Sequence, residues 1–204
     1  MRVLTVSGDN TAQVWDPHSG QAVVVLRHEN DLRYGLRSAA FSPDGQRIVT
    51  ASGLEARVWK ADRGDPVATL SHYRRVLSAV FSPDGKRIVT ASEDHTAQVW
   101  DAQSGRPLVT LLGHTGEVWD AAFSSNGQLI VTASEDNSIR VWEAKSGRLV
   151  TSWLCPAGRL GAVAFSPSGQ RILTAIGNTA HVNRILSLKD VTAILQGEGV
   201  PVPI

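Results

Sequence analysis

The sequence has little of what disulfide-stabilised, membrane-spanning or strongly charged proteins contain. Its 204 residues include one cysteine, Cys155, which excludes an internal disulfide framework and reads as a small apolar residue rather than a reactive thiol. The longest apolar run, Ala22 to Leu26, is too short to cross a membrane. Twenty basic and 19 acidic residues leave a net charge of +1, which disfavours nucleic acid and anionic membranes as partners.

Targeting and catalytic signals are also missing. The first residues, Met1 to Val6, lack the apolar region of a signal peptide, so we expect a cytosolic protein without a membrane partner. The sequence contains no Gly-x-Ser-x-Gly elbow, Walker loop, Gly-x-Gly-x-x-Gly, His-Glu-x-x-His or Cys-x-x-Cys. Its six histidines do not fall at metal-ligand spacings. These absences predict no catalytic residue, no metal and no cofactor.

What the chain does contain is a repeat. A Phe-Ser-x-x-Gly phrase begins at steps of 40, 42 and 42 residues, at Phe41, Phe81, Phe123 and Phe165. A tryptophan recurs with a similar period, at Trp15, Trp59, Trp100 and Trp142. A period of about 40 to 45 residues with turns between β-branched runs is typical of a four-stranded blade repeated around an axis.

The unit from Gly113 to Trp153 shows how one repeat folds. Four short apolar segments, separated by turn residues, predict four antiparallel strands over Val118–Phe123, Leu129–Ala133, Ile139–Trp142 and Arg148–Trp153. Strands without clean polar alternation, such as Ile88–Ala91, are typical of a sheet that is covered on both faces. The prediction is an all-β fold of four-stranded antiparallel blades.

These residues resemble the WD-repeat family over roughly residues 2 to 185. The resemblance rests on Gly113-His114, on the Ser-Pro-Asp-Gly turns and on Trp15-Asp16 and Trp100-Asp101. The phrase Thr-Ala-x-Val-Trp-Asp-x-x-Ser-Gly, present at Thr11–Gly20 and Thr96–Gly105, is similar to bacterial arrays of this family. The resemblance implies a β-propeller of about five blades, with the first and last incomplete.

We therefore expect a single WD-repeat domain over residues 1–204. Its blades are predicted at 1–27 (partial), 28–71, 72–112, 113–154 and 155–196 (degenerate), followed by a tail at 197–204. Because propellers generally have four to eight blades, the arrangement is a fragment of a larger propeller, an unusual five-bladed ring, or an open arc that associates with itself through its blade edges. Ser187–Asp190 suggests a short helix, and Val191–Leu195 a fourth strand instead.

In the family, a His, a Ser or Thr, an Asp and the repeat Trp form a hydrogen-bonded tetrad. The resemblance assigns two complete tetrads, His72, Ser92, Asp94 and Trp100, and His114, Ser134, Asp136 and Trp142. Ser, His and Asp in contact also suggest a hydrolase, since triads occur in many chain orders. A set that recurs in successive blades and ends in an indole donor favours a structural role, because a catalyst needs one nucleophile in one cleft.

The resemblance also implies a partner-binding face at the mouth of the central channel. Three positions in each repeat line it, and they predict Arg37, Arg75, Leu77, Glu93, Glu117, Trp119, Glu135 and Arg159 as contacts. Trp119 is not the repeat tryptophan, and an aromatic beside charged groups is typical of an interaction hot spot, although packing between blades is the alternative. The longer loop Glu29–Gly35 is a second candidate for partner contacts, or a neutral insertion.

The functional hypothesis is a non-catalytic scaffold or sensor module that binds a protein or peptide. In similar bacterial proteins such arrays follow a signalling kinase or NTPase domain. The alternative from another class is a propeller enzyme, lactonase-like or quinoprotein-like, with a metal or cofactor in the channel. Only Glu93, Glu117 and Glu135 can converge on such a site, and arginines share their ring. A nucleic-acid-binding propeller is a weaker alternative.

Overall fold

The structure is a computed structural model that describes residues 2–28, 34–155 and 160–184. Every regular element in these ranges is a β-strand, and the strands form five antiparallel sheets, which we call blades 1 to 5. Blade 1 contains β1 to β3, Val3–Val6, Thr11–Trp15 and Ala22–Arg27. Blade 2 contains β4 to β7, Ser38–Phe41, Arg47–Ser52, Glu55–Lys60 and Pro66–Ser71.

Blades 3 to 5 continue the same order. Blade 3 contains β8 to β11, Val76–Phe81, Arg87–Ser92, Ala97–Asp101 and Pro107–Leu111. Blade 4 contains β12 to β15, Val118–Phe123, Leu129–Ser134, Ser138–Glu143 and Leu149–Leu154. Blade 5 contains β16 to β18, Leu160–Phe165, Arg171–Ile176 and Thr179–Arg184. The predicted fold class is confirmed as an open β-propeller of about five blades, whose ends do not close on each other. The alternatives proposed for residues 187–195, and the tail, lie outside the described residues.

The Ser-Pro-Asp-Gly phrase forms the turn between the first two strands of a blade. In blade 3 the Gly85 N–H donates to the Ser82 carbonyl at 2.8 Å, which closes the turn. Gly85 has a φ of 67°, a left-handed conformation that glycine adopts without steric cost, and Gly45, Gly127 and Gly169 take nearly the same angle. The repeated glycine is therefore required by the backbone of the turn.

The blades stack through apolar faces of opposite type. We call the face toward the preceding blade the front face, and the face toward the following blade the back face. A front face presents the turn Phe, an Ile and the repeat Trp, as in Phe81, Ile88 and Trp100 of blade 3. A back face presents small and β-branched residues, as in Val49, Ala51, Ala56 and Val58 of blade 2. Four such front-to-back interfaces form the core of the described arc.

An arginine also links some neighbouring blades. Arg47 of blade 2 donates to the Gly85 carbonyl of blade 3 at 2.6 Å, and its guanidinium lies 5.3 Å from the centre of the Phe81 ring. Arg87 of blade 3 repeats both contacts with Gly127, at 2.7 Å, and Phe123 of blade 4. A charged donor on a carbonyl and a cation over a ring each stabilise the contact modestly. We call this pair of contacts the arginine latch.

Candidate functional site

The histidine of blade 3 joins three polar groups from the same sheet. His72 Nδ1 lies 2.7 Å from Asp94 Oδ2, and His72 Nε2 lies 2.6 Å from Thr90 Oγ1. The Trp100 indole N–H donates to the same Thr90 oxygen at 2.8 Å. An ionised Asp94 only accepts, so Nδ1 carries the ring proton, and Nε2 then accepts the Thr90 hydroxyl proton. Every polar side-chain atom of this network that is named here has a hydrogen-bond partner.

The hydroxyl of this network was assigned to the wrong residue from the sequence. Thr90 connects the histidine to the tryptophan, whereas Ser92 receives the Asp94 N–H at 3.1 Å and donates to the Arg74 carbonyl at 3.3 Å. The reason is the strand register: Trp100 pairs with Ile88, so its indole reaches Thr90, two residues along the same face, and Ser92 lies at the strand end. Ser92 therefore closes the turn beside the network.

Blade 4 repeats this arrangement with the same correction. His114 lies 2.9 Å from Asp136 and 2.7 Å from Thr132, and the Trp142 indole donates to Thr132 at 2.8 Å. Ser134 caps the turn by accepting the Asp136 N–H at 3.2 Å. Thr90 and Thr132 occupy the same place in the Ile-Val-Thr-Ala-Ser phrase of their blades, but Ser92 and Ser134 recur in the same way, so the phrase does not single out the threonine.

Hydrogen bonds within these networks shift the pKa values of their carboxylates. Burial raises the pKa of Asp94, but hydrogen bonds from His72 and Thr96 outweigh it and lower the pKa to about 2. The pKa of Asp136 is likewise held well below its usual value, against burial, by hydrogen bonds from Ser138 and His114. Both carboxylates are therefore ionised acceptors at neutral pH.

Blade 2 lacks the carboxylate, and its histidine shows the effect. His28 Nε2 lies 2.6 Å from Thr50, and the Trp59 indole donates to Thr50 at 2.8 Å. Burial, with a smaller effect from Arg57, lowers the pKa of His28 to about 4, so the ring is neutral at pH 7. The His, Thr and Trp of blade 2 thus form their hydrogen bonds without an Asp. In blades 3 and 4 the Asp adds a charged acceptor for the His.

The geometry argues against reading these networks as hydrolase triads. The hydroxyls of Thr50, Thr90 and Thr132 belong to residues with no exposed surface, so a substrate cannot reach them. Each also lies against an indole donor rather than beside a cleft with an oxyanion hole. What the arrangement does is tie together the loop before the first strand of a blade, the second strand, the turn that follows it and the third strand.

The predicted channel-mouth positions come together in pairs. The Glu93 N–H donates to the Arg75 carbonyl at 2.9 Å, and the Glu135 N–H donates to the Glu117 carbonyl at 2.8 Å. The Arg75 side chain then pairs with Glu93 at 3.0 Å. Its guanidinium also lies 4.5 Å from the centre of the Tyr34 ring. Arg75 is therefore already engaged by groups of this chain.

Carboxylates dominate this group of predicted channel-mouth residues. Burial is the largest cause of the raised pKa of Glu117, and the charges of Glu93 and Glu135 raise it further. His95 and Arg75 act in the opposite direction and do not cancel the shift. Three carboxylates that repel one another make a surface that favours a cation.

A β-bulge sets the direction of a second series of mouth residues. In β8, β12 and β16 the strand register shifts at one residue, which leaves Leu77, Trp119 and Gly161 as the extra residues. A bulge leaves the extra residue out of the ladder and re-aims its side chain. Trp119 is half-buried, Leu77 is buried and Arg37 is exposed. Arg159 lies outside the described residues, as does most of the Glu29–Gly35 loop.

The sequence interpretation missed Asp120, which connects three blades. Its Oδ2 accepts the Val163 N–H of blade 5 at 3.0 Å, its Oδ1 accepts the Ala121 N–H at 2.9 Å, and it hydrogen-bonds Ser78 of blade 3. Burial raises its pKa, although these hydrogen bonds oppose the shift. The available signal was an acidic residue three places before the turn Phe, where Ser38 and Ser78 stand in blades 2 and 3.

Residues 2–28, 34–155 and 160–184 contain no group of three or more His, Cys, Asp or Glu side chains arranged to hold a metal ion. The same part of the chain contains no helix that is long and apolar enough to span a membrane.

Comparison with protein families agrees with the geometry of the blades. The family model described as "WD domain, G-beta repeat" matches residues 21–60, 64–101 and 105–143, more than half of the chain. The chain belongs to this family. WD-repeat membership supports a protein-interaction scaffold in general, because proteins of this family are typically non-catalytic.

Individual relatives are similar to this chain over only a part of their own length. A "Ribosome biogenesis protein WDR12 homolog" from Drosophila persimilis is 31% identical over 122 residues, which cover 49% of this chain and 28% of that protein. "Protein tipD" from Dictyostelium discoideum is 30% identical over 104 residues, 50% of this chain and 16% of that protein. The chain thus spans less than a third of the length of these curated relatives. The crystal structure of the computationally designed Ika8 protein matches 90% of this chain and 55% of its own, with a TM-score of 0.78 and 24% identity.

Proposed function

We propose that this chain is a non-catalytic scaffold that binds a protein partner across the channel mouth of its WD-repeat arc. The observation that carries the proposal is that β-bulges and backbone hydrogen bonds together position the predicted mouth residues. Bulges re-aim the side chains of Leu77 in β8 and Trp119 in β12, and backbone hydrogen bonds set Arg75 beside Glu93 and Glu117 beside Glu135. Half-buried Trp119 is the aromatic anchor of this surface.

The charge of the mouth selects the chemistry of the partner. Arg75 is paired with Glu93 and stacked on Tyr34, so this arginine is a poor candidate for an acidic or phosphorylated ligand. Glu117 and Glu135 bring two further carboxylates to the same region. A partner segment with Lys or Arg side chains relieves the repulsion among these carboxylates and can place a cation over the Trp119 ring.

The enzyme alternative has less support. A lactonase-like or quinoprotein-like site needs ligands that converge on a metal or cofactor, and the described residues offer no such group. Family membership favours a scaffold, and one relative carries the name of a ribosome biogenesis protein. The cytosolic location expected from the sequence remains a proposal. Microscopy of the tagged full-length protein tests this location.

The channel-mouth site is tested by peptide binding with Trp119→Ala. An array of peptides of varied charge, probed with the wild-type chain, should retain sequences enriched in Lys and Arg. Truncating a central aromatic anchor costs about 2 kcal/mol or more, roughly thirtyfold in affinity. Fluorescence anisotropy of a retained peptide should show this loss for Trp119→Ala and a similar loss for Glu117→Lys.

The control for this experiment is Arg148→Ala, which changes a charge on exposed surface near β15, and it should bind like wild type. Thermal melts of all three variants establish that binding is compared among folded proteins. If Trp119→Ala and Glu117→Lys keep the wild-type melt and the wild-type affinity, the mouth is the wrong surface, and the Glu29–Gly35 loop is the next one to mutate.

A further inference from the structure

Three large apolar side chains are exposed in the loops of blades 2 to 4, each of which has a blade on both sides. Leu54 is 47% exposed, Tyr73 is 96% exposed and Leu112 is 68% exposed. All three lie at the mouth end of the blades, where an antiparallel meander places the loop before its first strand and the turn after its second. Within the described residues, the turns at the opposite end expose no large apolar side chain.

Backbone hydrogen bonds place Leu54 and Tyr73 side by side. The His72 N–H donates to the Leu54 carbonyl at 2.9 Å, and Tyr73 is the next residue of the chain. The Val76 N–H donates to the Gly53 carbonyl at 2.8 Å. The loop that carries Tyr73 is therefore held at both of its ends against the turn that carries Leu54.

Leu112 joins this group on the other side of a turn in blade 3. The Tyr73 N–H and the Thr96 N–H both donate to the Asp94 carboxylate, at 3.4 and 3.0 Å. The pairing of β10 with β11 then places Leu112 at the level of Thr96, one residue beyond the end of the ladder. We call Leu54, Tyr73 and Leu112 the apolar border.

The turn that carries Leu54 does not require an apolar residue. Gly53 and Leu54 form a two-residue turn between β5 and β6, and the φ of Gly53 is 54°. A turn of this kind favours glycine at its first position and accepts other residues at its second. The residue before the third strand segment is polar in the turns of the next two blades, at His95 and Asn137. The leucine is therefore not explained by the fold of blade 2.

The other two residues of the apolar border also have polar equivalents. Thr115 of blade 4 occupies the place of Tyr73, because the N–H of each donates to the Asp of its own network. Ser71 of blade 2 occupies the place of Leu112, because each follows a fully buried leucine of a fourth strand. Apolar side chains that the fold does not need, grouped on one surface, are typical of an interaction site.

We propose that the partner segment is amphipathic, with apolar side chains that pack on the apolar border while its Lys or Arg side chains meet the mouth carboxylates. This inference rests on the proposed function and adds a requirement that charge alone does not supply. The two surfaces adjoin, because Arg75 lies two residues after Tyr73 and Glu93 directly precedes Asp94. A purely basic segment leaves the border bare, and a purely apolar one leaves the carboxylates uncompensated.

Two series of synthetic peptides with equal positive charge test this inference. Both series contain Lys and Arg at the same positions, and the remaining positions are Leu, Ile and Phe in one series and Ser in the other. The wild-type chain should bind the apolar series about tenfold more tightly, which is the order of effect expected from burying one large apolar side chain. Fluorescence anisotropy at one salt concentration measures both affinities.

The test variant combines Leu54→Asn, Tyr73→Thr and Leu112→Ser, each of which introduces a residue found at the equivalent position of another blade. Its preference for the apolar series should fall to about twofold or less, and its affinity for the Ser series should stay at the wild-type value. The control is Leu108→Ser. Leu108 is 52% exposed near the start of β11, at the end of blade 3 opposite the mouth, so this variant should keep the full preference. Thermal melts establish that all of these chains are folded.

The outcomes separate this inference from the function on which it rests. If the wild-type chain binds both series equally and Glu117→Lys abolishes that binding, the mouth takes a basic segment and the amphipathic requirement is wrong. An undiminished preference in the triple variant also overturns the inference, because the apolar side chains then bind elsewhere. Absence of binding by both series overturns the mouth as a binding site and this inference with it.

Light scattering covers the remaining occupant of the apolar border, a second copy of the chain. We expect the wild-type chain and the triple variant to have the same mass in the absence of peptide. A wild-type mass of twice 21.9 kDa that falls to 21.9 kDa in the triple variant would show that the chain covers its own border. That result overturns the peptide as its occupant.

Discussion

Blades 3 and 4 and blade 5 share one strand framework but differ in the polar groups that accompany it. Blades 3 and 4 each have a His, an Asp, a Thr and a Trp in one paired network. Blade 5 keeps Thr174 at the same register position, but Asn183 stands where the Trp belongs. The Thr174 hydroxyl is buried and has no hydrogen-bond partner within the described part of the chain.

The interface between blades 4 and 5 also has less complete polar contacts than the interfaces between blades 2 and 3 and between blades 3 and 4. Leu129 occupies the position of the latch arginines Arg47 and Arg87, so this interface has no arginine latch from β13. The buried indole N–H of Trp153, in the cluster between these blades, also has no hydrogen-bond partner within the described residues. The first change removes polar contacts, the second leaves a buried donor unpaired, and the apolar contacts stay in place.

The comparison shows which features make a blade and which make it stable. Blade 5 still forms an antiparallel sheet with a Ser-Pro-Ser-Gly turn, buried Val163 and Ile172, and a front face that packs on blade 4. The apolar pattern and the turn are therefore sufficient for the framework. The hydrogen-bonded network and the arginine latch stabilise this framework further, because each buried donor left unpaired costs free energy of folding.

Removing the repeat tryptophan should have the largest effect. Trp142→Ala deletes a buried side chain and removes the indole donor to the Thr132 hydroxyl, so we expect it to lower the free energy of unfolding by about 3 to 5 kcal/mol. Asn183→Ala, at the same register position in blade 5, should change it by about 0.5 kcal/mol or less. Urea denaturation of both variants measures the difference. Equal losses would mean that blade 5 depends on its Asn as blade 4 depends on its Trp.

Removing the carboxylate of a network should have a smaller effect. Asp94→Ala leaves His72 Nδ1 and the Thr96 hydroxyl without their acceptor, and we expect a loss of about 1 to 3 kcal/mol. Asp136→Ala should behave alike in blade 4. The exposed Asp62→Ala is the control and should change stability by about 0.5 kcal/mol or less. Wild-type melting of both network variants would contradict a structural role for the two carboxylates.

The latch should have the smallest effect. Arg87→Leu gives the blade 3 to 4 interface the residue found between blades 4 and 5, and removal of its contacts with Gly127 and Phe123 should cost about 1 kcal/mol. The reverse exchange, Leu129→Arg, should stabilise blade 5 by less than that. Hydrogen exchange followed by mass spectrometry reports the change blade by blade. Slower exchange in β13 and unchanged exchange in β16 to β18 would show that the new arginine does not reach blade 5.

The propeller fold was predictable because each strand combines an apolar run with a turn signal at a fixed period. The predicted strand Leu129–Ala133 ends one residue before the observed end at Ser134, because hydrogen bonds at the strand end, and not the residue pattern, set the boundary. The choice between Thr90 and Ser92 was not predictable from residue type, because both carry a hydroxyl and lie on one face; only the cross-strand register of Trp100 separates them. The three-blade contacts of Asp120 depend on the curvature of the arc, which no local pattern specifies.

The bulges of the innermost strands have an evolutionary consequence. The residue before each bulge position is Val76 in β8 and Val118 in β12, and both are buried in the interface between blades. The bulge residues themselves are a leucine, a tryptophan and a glycine, three unrelated side chains in three successive repeats. Because the extra residue of a bulge is left out of the ladder, it can be exchanged without a change of strand register. Each of these three repeats thus contributes one position whose side chain can change while the strands around it stay the same.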